Sequence, residues 1–326
     1  MRRKTNHNDG KPDHVGLAAC QGETDMYDIL IIGGGPAGLT AATYARRAGK
    51  SVLVIEKSAF GGQITWSPKV ENFPGFLSIS GNELGDKLLE QAMEQGAEVE
   101  LDAVTALRRE DGGFTAETEF GGSFQGRSVI LATGARPRML GLAREEELVG
   151  SGVCYCAVCD GAFYNGKDVA VSGGGNSALQ DALLLSESCS KVYLVHRRDS
   201  FRGEAKLVDA LREKDNVEFV LNAKITELLG EDALSAVIVE QEGQSRELPV
   251  EGLFVAVGHQ PDNGAFAEFL TLDGAGYAAS GEDCLTATPG LFVAGDCRAK
   301  EVRQLTTAAA DGAVAALAAC RWLDRT

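Results

Sequence analysis

The run Cys154-Tyr155-Cys156-Ala157-Val158-Cys159-Asp160 places three cysteines within six positions and follows them with an acid. Three chemistries use such a cluster: half of a metal site, a structural staple, or two thiols that open and close. Two residues between Cys156 and Cys159 let their sulfurs meet at disulfide distance, about 2.05 Å, across one turn. A CxxC setting favours the thiolate, which is the nucleophile of disulfide exchange. A carboxyl at Asp160 can give or take the proton as one thiol leaves and the other attacks. The plainer alternative for Asp160 is an acid that closes a helix or turn. A structural zinc site would need a fourth ligand and commonly a second CxxC. Cys189, Cys284, Cys297 and Cys320 stand singly and no histidine adjoins the motif, so no metal is expected.

Glycines supply the next chemistry-bearing pattern. A β-branched run over 29–32 meets Gly33, Gly34 and Gly35, then Pro36-Ala37-Gly38. Helical spacing of Leu39, Ala42 and Ala45 follows and stops at Gly49, and a second strand over 51–55 ends at Glu56. This is the dinucleotide fingerprint in its required strand–loop–helix–strand setting. Gly33 makes the tight turn, Gly35 admits a pyrophosphate to the backbone, and Gly38 lets the helix pack closely. The helix start offers unpaired N–H groups to phosphate, and Glu56 can accept from ribose hydroxyls.

The unit recurs. A strand from Asp168 meets Gly173, Gly174 and Gly175, with Ala178 in the third small position, and a further strand over 191–195 leads to His196. Where the first unit ends in an acid, the second has His196 followed by Arg197, Arg198 and Arg202. A carboxylate there would repel a 2′-phosphate, whereas guanidinium groups grip one. The first loop is therefore expected to take a nucleotide with free ribose hydroxyls and the second to prefer NADPH. Each unit has a later strand ending in glycine (residues 128–134 and 252–258). A last strand signal ends at Gly295-Asp296, before a helix-like stretch rich in Ala and Thr over 305–319. The C-terminal segment is thus expected to return and complete the first unit. The fold class is α/β, with two Rossmann-like dinucleotide-binding domains, the second inserted into the first.

Composition bounds the rest. A net charge of −16 opposes general nucleic-acid binding, which needs clustered basic groups. No apolar run approaches the ~20 residues of a membrane span. The first 25 residues begin with a basic cluster but have no apolar core of a secretory signal, and they read as a disordered extension that includes His7 and His14. A domain starts abruptly at Met26, where translation is expected to begin. Scattered cysteines do not resemble a secreted disulfide framework, so a cytoplasmic setting is expected.

From Met26 almost to the C-terminus, the chain resembles the bacterial low-molecular-weight thioredoxin reductases. The motifs that carry this are GGGPAGLTAA, GGQITWSPKVENFPGF, ATGARP, CAVCDGAFY, GGGNSALQDALLL, HRRDSFR, VAVGHQP, GLFVAGDC and VRQLTTAAADG, in the family's order. The resemblance implies that the first domain (26–137 and 259–326) binds FAD and that the inserted domain (138–258) binds NADPH and carries the dithiol. It makes Cys156 and Cys159 the redox pair, Asp160 the acid/base residue, and Cys159 the thiol nearer the flavin and the attacker on the partner. It implies flavin contacts from Gly33, Gly35, Pro36, Ala37, Gly38, Glu56, Lys57, Gly62, Gln63, Asn72, Val104, Ala132, Thr133, Gly134, Gly295, Asp296, Arg303, Gln304 and Leu305. NADPH contacts fall to Gly173, Gly175, Asn176, Ser177, Ala178, His196, Arg197, Arg198, Arg202, Val257 and Gly258. It further implies thioredoxin as partner, a homodimer, and a second domain that turns on glycine- and proline-bearing linkers near 134–141 and 258–264. Val302 departs from the tyrosine common there, and Cys154 has no counterpart in the usual pattern.

Competing readings differ in donor, partner or turnover. A relative fed by ferredoxin or reduced flavin would lose the second glycine loop and the basic cluster, and both are present. A glutaredoxin-like or peroxiredoxin partner, or small-molecule dithiol oxidation, would leave the same motifs. A flavoprotein that only senses or binds would be expected to lose the CxxC-Asp first.

Overall fold

A computed structural model describes residues 26–326 except 68 and 111. The extension expected over 1–25 lies outside the described residues.

In chain order the first lobe contains β1 (Tyr27–Ile32), α1 (Pro36–Arg47), β2 (Val52–Glu56), α2 (Gly81–Glu94), β3 (Glu98–Leu101), β4 (Val104–Glu110), β5 (Gly113–Thr118) and β6 (Ser123–Leu131). The strand order is β3-β2-β1-β6-β5-β4. β1, β2, β3 and β6 run parallel, and β4 and β5 form an antiparallel excursion. Ile29, Leu30 and Ile31 are fully buried because helices and sheet excursion cover both faces, which is why β1 reads as a continuous apolar run. Pro36 opens α1, where its missing N–H has no helical partner to lose. Ser80 caps α2 by accepting from Glu83 N at 3.1 Å.

A short strand, β7 (Ala135–Pro137), leads to the second lobe. That lobe contains β8 (Val153–Cys154), α3 (Ala157–Asp160), β9 (Asp168–Gly173), α4 (Asn176–Ser186), β10 (Lys191–Val195), α5 (Ala205–Arg212), β11 (Val217–Val220), the meander β12 (Ala223–Leu229), β13 (Ala236–Gln241) and β14 (Gln244–Pro249), and β15 (Gly252–Ala256). Its parallel sheet has the order β11-β10-β9-β15-β8. The chain returns through β16 (His259–Pro261), which pairs antiparallel with β7, His259 opposite Pro137. The two crossings between lobes thus form one two-stranded ribbon.

The last strand, β17 (Leu291–Val293), adds parallel to β6, and α6 (Leu305–Leu323) packs on α1. Ala315, Ala316 and Ala319 of α6 share a buried cluster with Leu39, Ala41 and Ala42 of α1. Small side chains let the two helices approach closely. The C-terminal segment completes the first lobe, as its sequence implied.

Candidate active site

A cavity of about 580 Å³ runs through the first lobe along the carboxyl ends of its parallel strands. At one end lies the first glycine loop. Gly33 has φ +110°, and a side chain there would meet the Ala132 carbonyl oxygen at 2.3 Å. A side chain on Gly38 would sit 1.9 Å from the Gly33 carbonyl oxygen, so α1 can start this close only on glycine. Above Gly35 the nearest atom is 3.9 Å away, which leaves its backbone open to a ligand. Glu56 ends β2 and is buried. Its carboxylate accepts from Gly34 N (2.6 Å), Ser58 N (3.0 Å) and the Ser58 hydroxyl (3.1 Å). A carboxylate has about four acceptor sites, so one remains for a ribose hydroxyl.

The other end of the cavity is closed by Asp296, Gln304, Leu305 and the start of α6. Asp296 Oδ1 is buried with no hydrogen-bond partner among the described residues, and burial raises its carboxyl above the ordinary range despite Lys300 and Arg303 nearby. A buried acceptor without a donor calls for one from a ligand. This orphaned acceptor, the open glycine loop and the Glu56 acceptor together fit a hydroxyl-rich dinucleotide such as FAD. All the expected flavin residues line the cavity except Gly38, Asn72 and Arg303. Gly38 lies beneath the loop as a packing residue, Asn72 Nδ2 donates to Gln304 Oε1 at 3.4 Å, and the Arg303 guanidinium stacks 4.1 Å over Tyr277.

Against this second end sits the CxxC. Cys156 and Cys159 form a disulfide, as their spacing allows. Cys156 precedes the short α3, and its Sγ accepts from Cys159 N at 3.2 Å. Gln304, which lines the cavity, brings its Nε2 to 4.0 Å from the same sulfur and so sets the pair beside the cavity. Asp160 ends α3, and burial pushes its carboxyl up to about 6, within reach of a proton-transfer role near neutral pH. The unmatched Cys154 is buried, with its Sγ 3.3 Å from the Tyr164 hydroxyl. Burial, with Asp160 adding to it, pushes that thiol up to about 12. It is a packed thiol at the end of β8, two residues before the redox pair.

The second glycine loop lies on the same lobe as the disulfide. Gly173 ends β9, and Asn176, Ser177 and Ala178 begin α4. The space above Gly175 is open. Arg202 N donates to the Gly174 carbonyl at 2.8 Å, which draws the basic loop over the glycine loop. Arg197, Arg198 and Arg202 are exposed, as are Val257 and Gly258 after β15. His196 is different: it is buried under Gly174 and stacks on Phe201 at 5.2 Å. Burial lowers its pKa, so the cationic face belongs to the arginines. Its Nε2 has no hydrogen-bond partner among the described residues.

The chain matches the family described as pyridine nucleotide-disulphide oxidoreductase over residues 27–312. The chain belongs to this family. Among pyridine nucleotide-disulphide oxidoreductases, the thioredoxin reductase of Listeria monocytogenes is 40% identical over 93% of this chain and 95% of its own. The bifunctional thioredoxin reductase/thioredoxin of Mycobacterium leprae is 39% identical over 91% of this chain and 66% of its own. The crystal structure of thioredoxin reductase from Streptococcus pyogenes, 39% identical, overlays with a TM-score of 0.88, covering 93% of this chain and 100% of that one. Membership of the family implies binding of flavin and nicotinamide nucleotide. Among the described residues no cluster suits a metal ion, and no helix is long and apolar enough to cross a membrane.

Two groups of this oxidoreductase site were not singled out by the sequence. Trp66, about half exposed, lines the cavity beside Ile64 and Thr65. Asn263, after the ribbon, is buried; its Oδ1 accepts from the Thr133 hydroxyl at 3.3 Å. Trp66 falls inside the GGQITW run without being marked out by it, and nothing about the type or spacing of Asn263 sets it apart from an ordinary loop position. Only the fold brings them to the site.

Proposed function

We propose that this protein is an NADPH-dependent thioredoxin-disulfide reductase that uses Cys156 and Cys159 as an internal dithiol relay. The observation that carries this is the disulfide held against the flavin-sized cavity, with Gln304 shared between them. Bound FAD and NADPH would supply the electron pair, as hydride, that opens the disulfide. FAD would be held by the first glycine loop, Glu56 and Asp296. NADPH would be held by the second glycine loop, with Arg197, Arg198 and Arg202 around the 2′-phosphate.

The protein's own residues then carry out disulfide exchange. Asp160, its carboxyl raised to about 6, can take up a proton and pass it to the leaving sulfur. The Cys159 thiolate attacks one sulfur of the partner disulfide, forming a mixed disulfide and releasing the other partner sulfur as a thiol. Cys156 attacks Cys159 in turn, restores the internal disulfide and frees the reduced partner. The relative that combines a reductase with thioredoxin in its name supports thioredoxin as that partner.

The nicotinamide loop and the disulfide share the lobe bounded by residues 138 and 258, so they cannot both face the cavity at once. We infer that this lobe turns about the β7–β16 ribbon, in a cytoplasmic homodimer. Anaerobic titration with NADPH tests the function. The visible flavin band should bleach and return on adding oxidised thioredoxin; a band that never bleaches overturns the proposal.

A further inference from the structure

The sulfur of Cys156 receives N–H groups from two separate parts of the fold. Within the motif, Cys159 N donates at 3.2 Å. From the other lobe, Gln304 Nε2 reaches the same atom at 4.0 Å. Among the described residues, no donor is directed in this way at Cys159 Sγ. The Gln304 amide is also fixed in direction. Its Oε1 accepts from Asn72 Nδ2 at 3.4 Å, and the residue closes a reciprocal capping box with Thr307, its own N–H donating to Thr307 Oγ1 at 3.1 Å. Only the oxygen end of an amide accepts, so these partners turn the NH2 end toward Cys156. A disulfide sulfur accepts weakly and a thiolate strongly, so both donors gain most when negative charge develops on Cys156.

We propose that Gln304, oriented by Asn72, is a catalytic residue that stabilises Cys156 as the leaving thiolate when the internal disulfide opens. This deepens the reductase function proposed above and rests on it. Two electrons from a two-electron donor, reduced flavin in the enzyme, and one proton enter. The S–S bond breaks, one electron pair stays on Cys156 Sγ as thiolate, and Cys159 Sγ becomes the thiol. A second proton, from Asp160, completes the dithiol. The Gln304 donor belongs to the first lobe, so Cys156 has it only while the pair faces the cavity. A turn of the second lobe removes it, so thiolate is no longer favoured at Cys156, and Cys159 gives up its proton to Asp160 for attack on the partner. Among the described residues, the charged groups around the motif include Asp160 on its own turn, Glu145 and Glu146 near Tyr155, Lys69 over Phe163, and Asp296 and Arg303 near Gln304. All of these are retained in the variants below.

The test uses flavin-loaded enzyme reduced with a phosphine, without nicotinamide. Alkylation of Cys156 and Cys159 is followed separately by peptide mass spectrometry as a function of pH. In the wild type, Cys156 should ionise at the lower pH. Gln304→Met, which keeps length and neutrality but has no donor, should raise the Cys156 profile by about one unit and leave Cys159 in place. Asn72→Leu leaves Gln304 and the helix cap intact and should move Cys156 the same way by a smaller amount, so it decides the matter if Gln304→Met folds poorly. A Cys156 profile unmoved by Asn72→Leu and Gln304→Met, or a shift confined to Cys159, overturns the proposal. Loss of NADPH–thioredoxin turnover in wild-type enzyme would strike the function and leave this ionisation result standing.

Discussion

The Glu145 carboxylate and the Tyr155 hydroxyl meet at 3.1 Å inside the second lobe, one residue before the redox pair begins. Glu145 is fully buried and, among the described residues, has no cationic partner; its oxygens also accept from Leu140 N (2.9 Å), Gly141 N (2.8 Å) and Leu142 N (3.2 Å). One side chain therefore ties the incoming linker to the junction between β8 and α3, where the CxxC begins. Glu145→Ala strands three backbone donors and a hydroxyl, and should cost at least ~3 kcal/mol. Tyr155→Phe removes one hydrogen bond to a charged group and should cost about 1–2 kcal/mol. Chemical denaturation compares the two; equal losses would contradict this arrangement.

Asp160 sets a pH dependence with a definite sign. Burial raises its carboxyl from an ordinary 3.8 to about 6, so between these values the folded protein keeps a proton that the unfolded chain has released. Its contribution to stability is fully present below 3.8 and is lost as pH rises through about 6. Transfer from the reduced pair to thioredoxin should show an ionisation near pH 6 that Asp160→Asn abolishes, with a rate loss of about 10²-fold or more. Asp181 is raised to the same region, so Asp181→Asn is the control and should leave the ionisation in place.

Two glycines in the first loop should separate folding from flavin binding. A Gly38→Ala methyl would stand 1.9 Å from a backbone oxygen, and the variant should fail to accumulate as folded protein. The methyl of Gly35→Ala meets nothing closer than 3.9 Å, and the residue has φ −79°, so the fold should survive. That methyl occupies the space above the loop, and FAD affinity should fall about tenfold or more. Flavin titration of the apoprotein reads this, and unchanged affinity would remove Gly35 from the binding surface.

Arg197 and Arg198 are exposed beside the buried, stacked His196. Replacing both with alanine should raise KM for NADPH by roughly 10- to 100-fold and leave the weaker NADH reaction nearly unchanged. Steady-state kinetics with the two nucleotides checks this; a parallel loss with both would place the arginines elsewhere in the mechanism.

The two glycine loops, their strands and the CxxC-Asp run were legible in the sequence because each is a local pattern with a local cause. Gly33 and Gly38 occupy the positions where only glycine fits, and β17 and α6 return to the first lobe as their strand and helix signals implied. The antiparallel excursion β4–β5 and the meander β12–β14 were not anticipated, since short alternating runs carry little information about what they cover. His196 was legible as the counterpart of Glu56 by position, but its burial under Gly174 depends on packing that spacing does not encode. Glu145 and Asn72 look like ordinary acidic and loop residues until the fold sets them beside Tyr155 and Gln304.

Rapid mixing of Cys159→Ser enzyme, loaded with FAD, against NADPH and then oxidised thioredoxin tests the relay most directly. The account predicts flavin reduction at close to the wild-type rate with no thioredoxin reduced. Reduction of thioredoxin by this variant at the wild-type rate would contradict it.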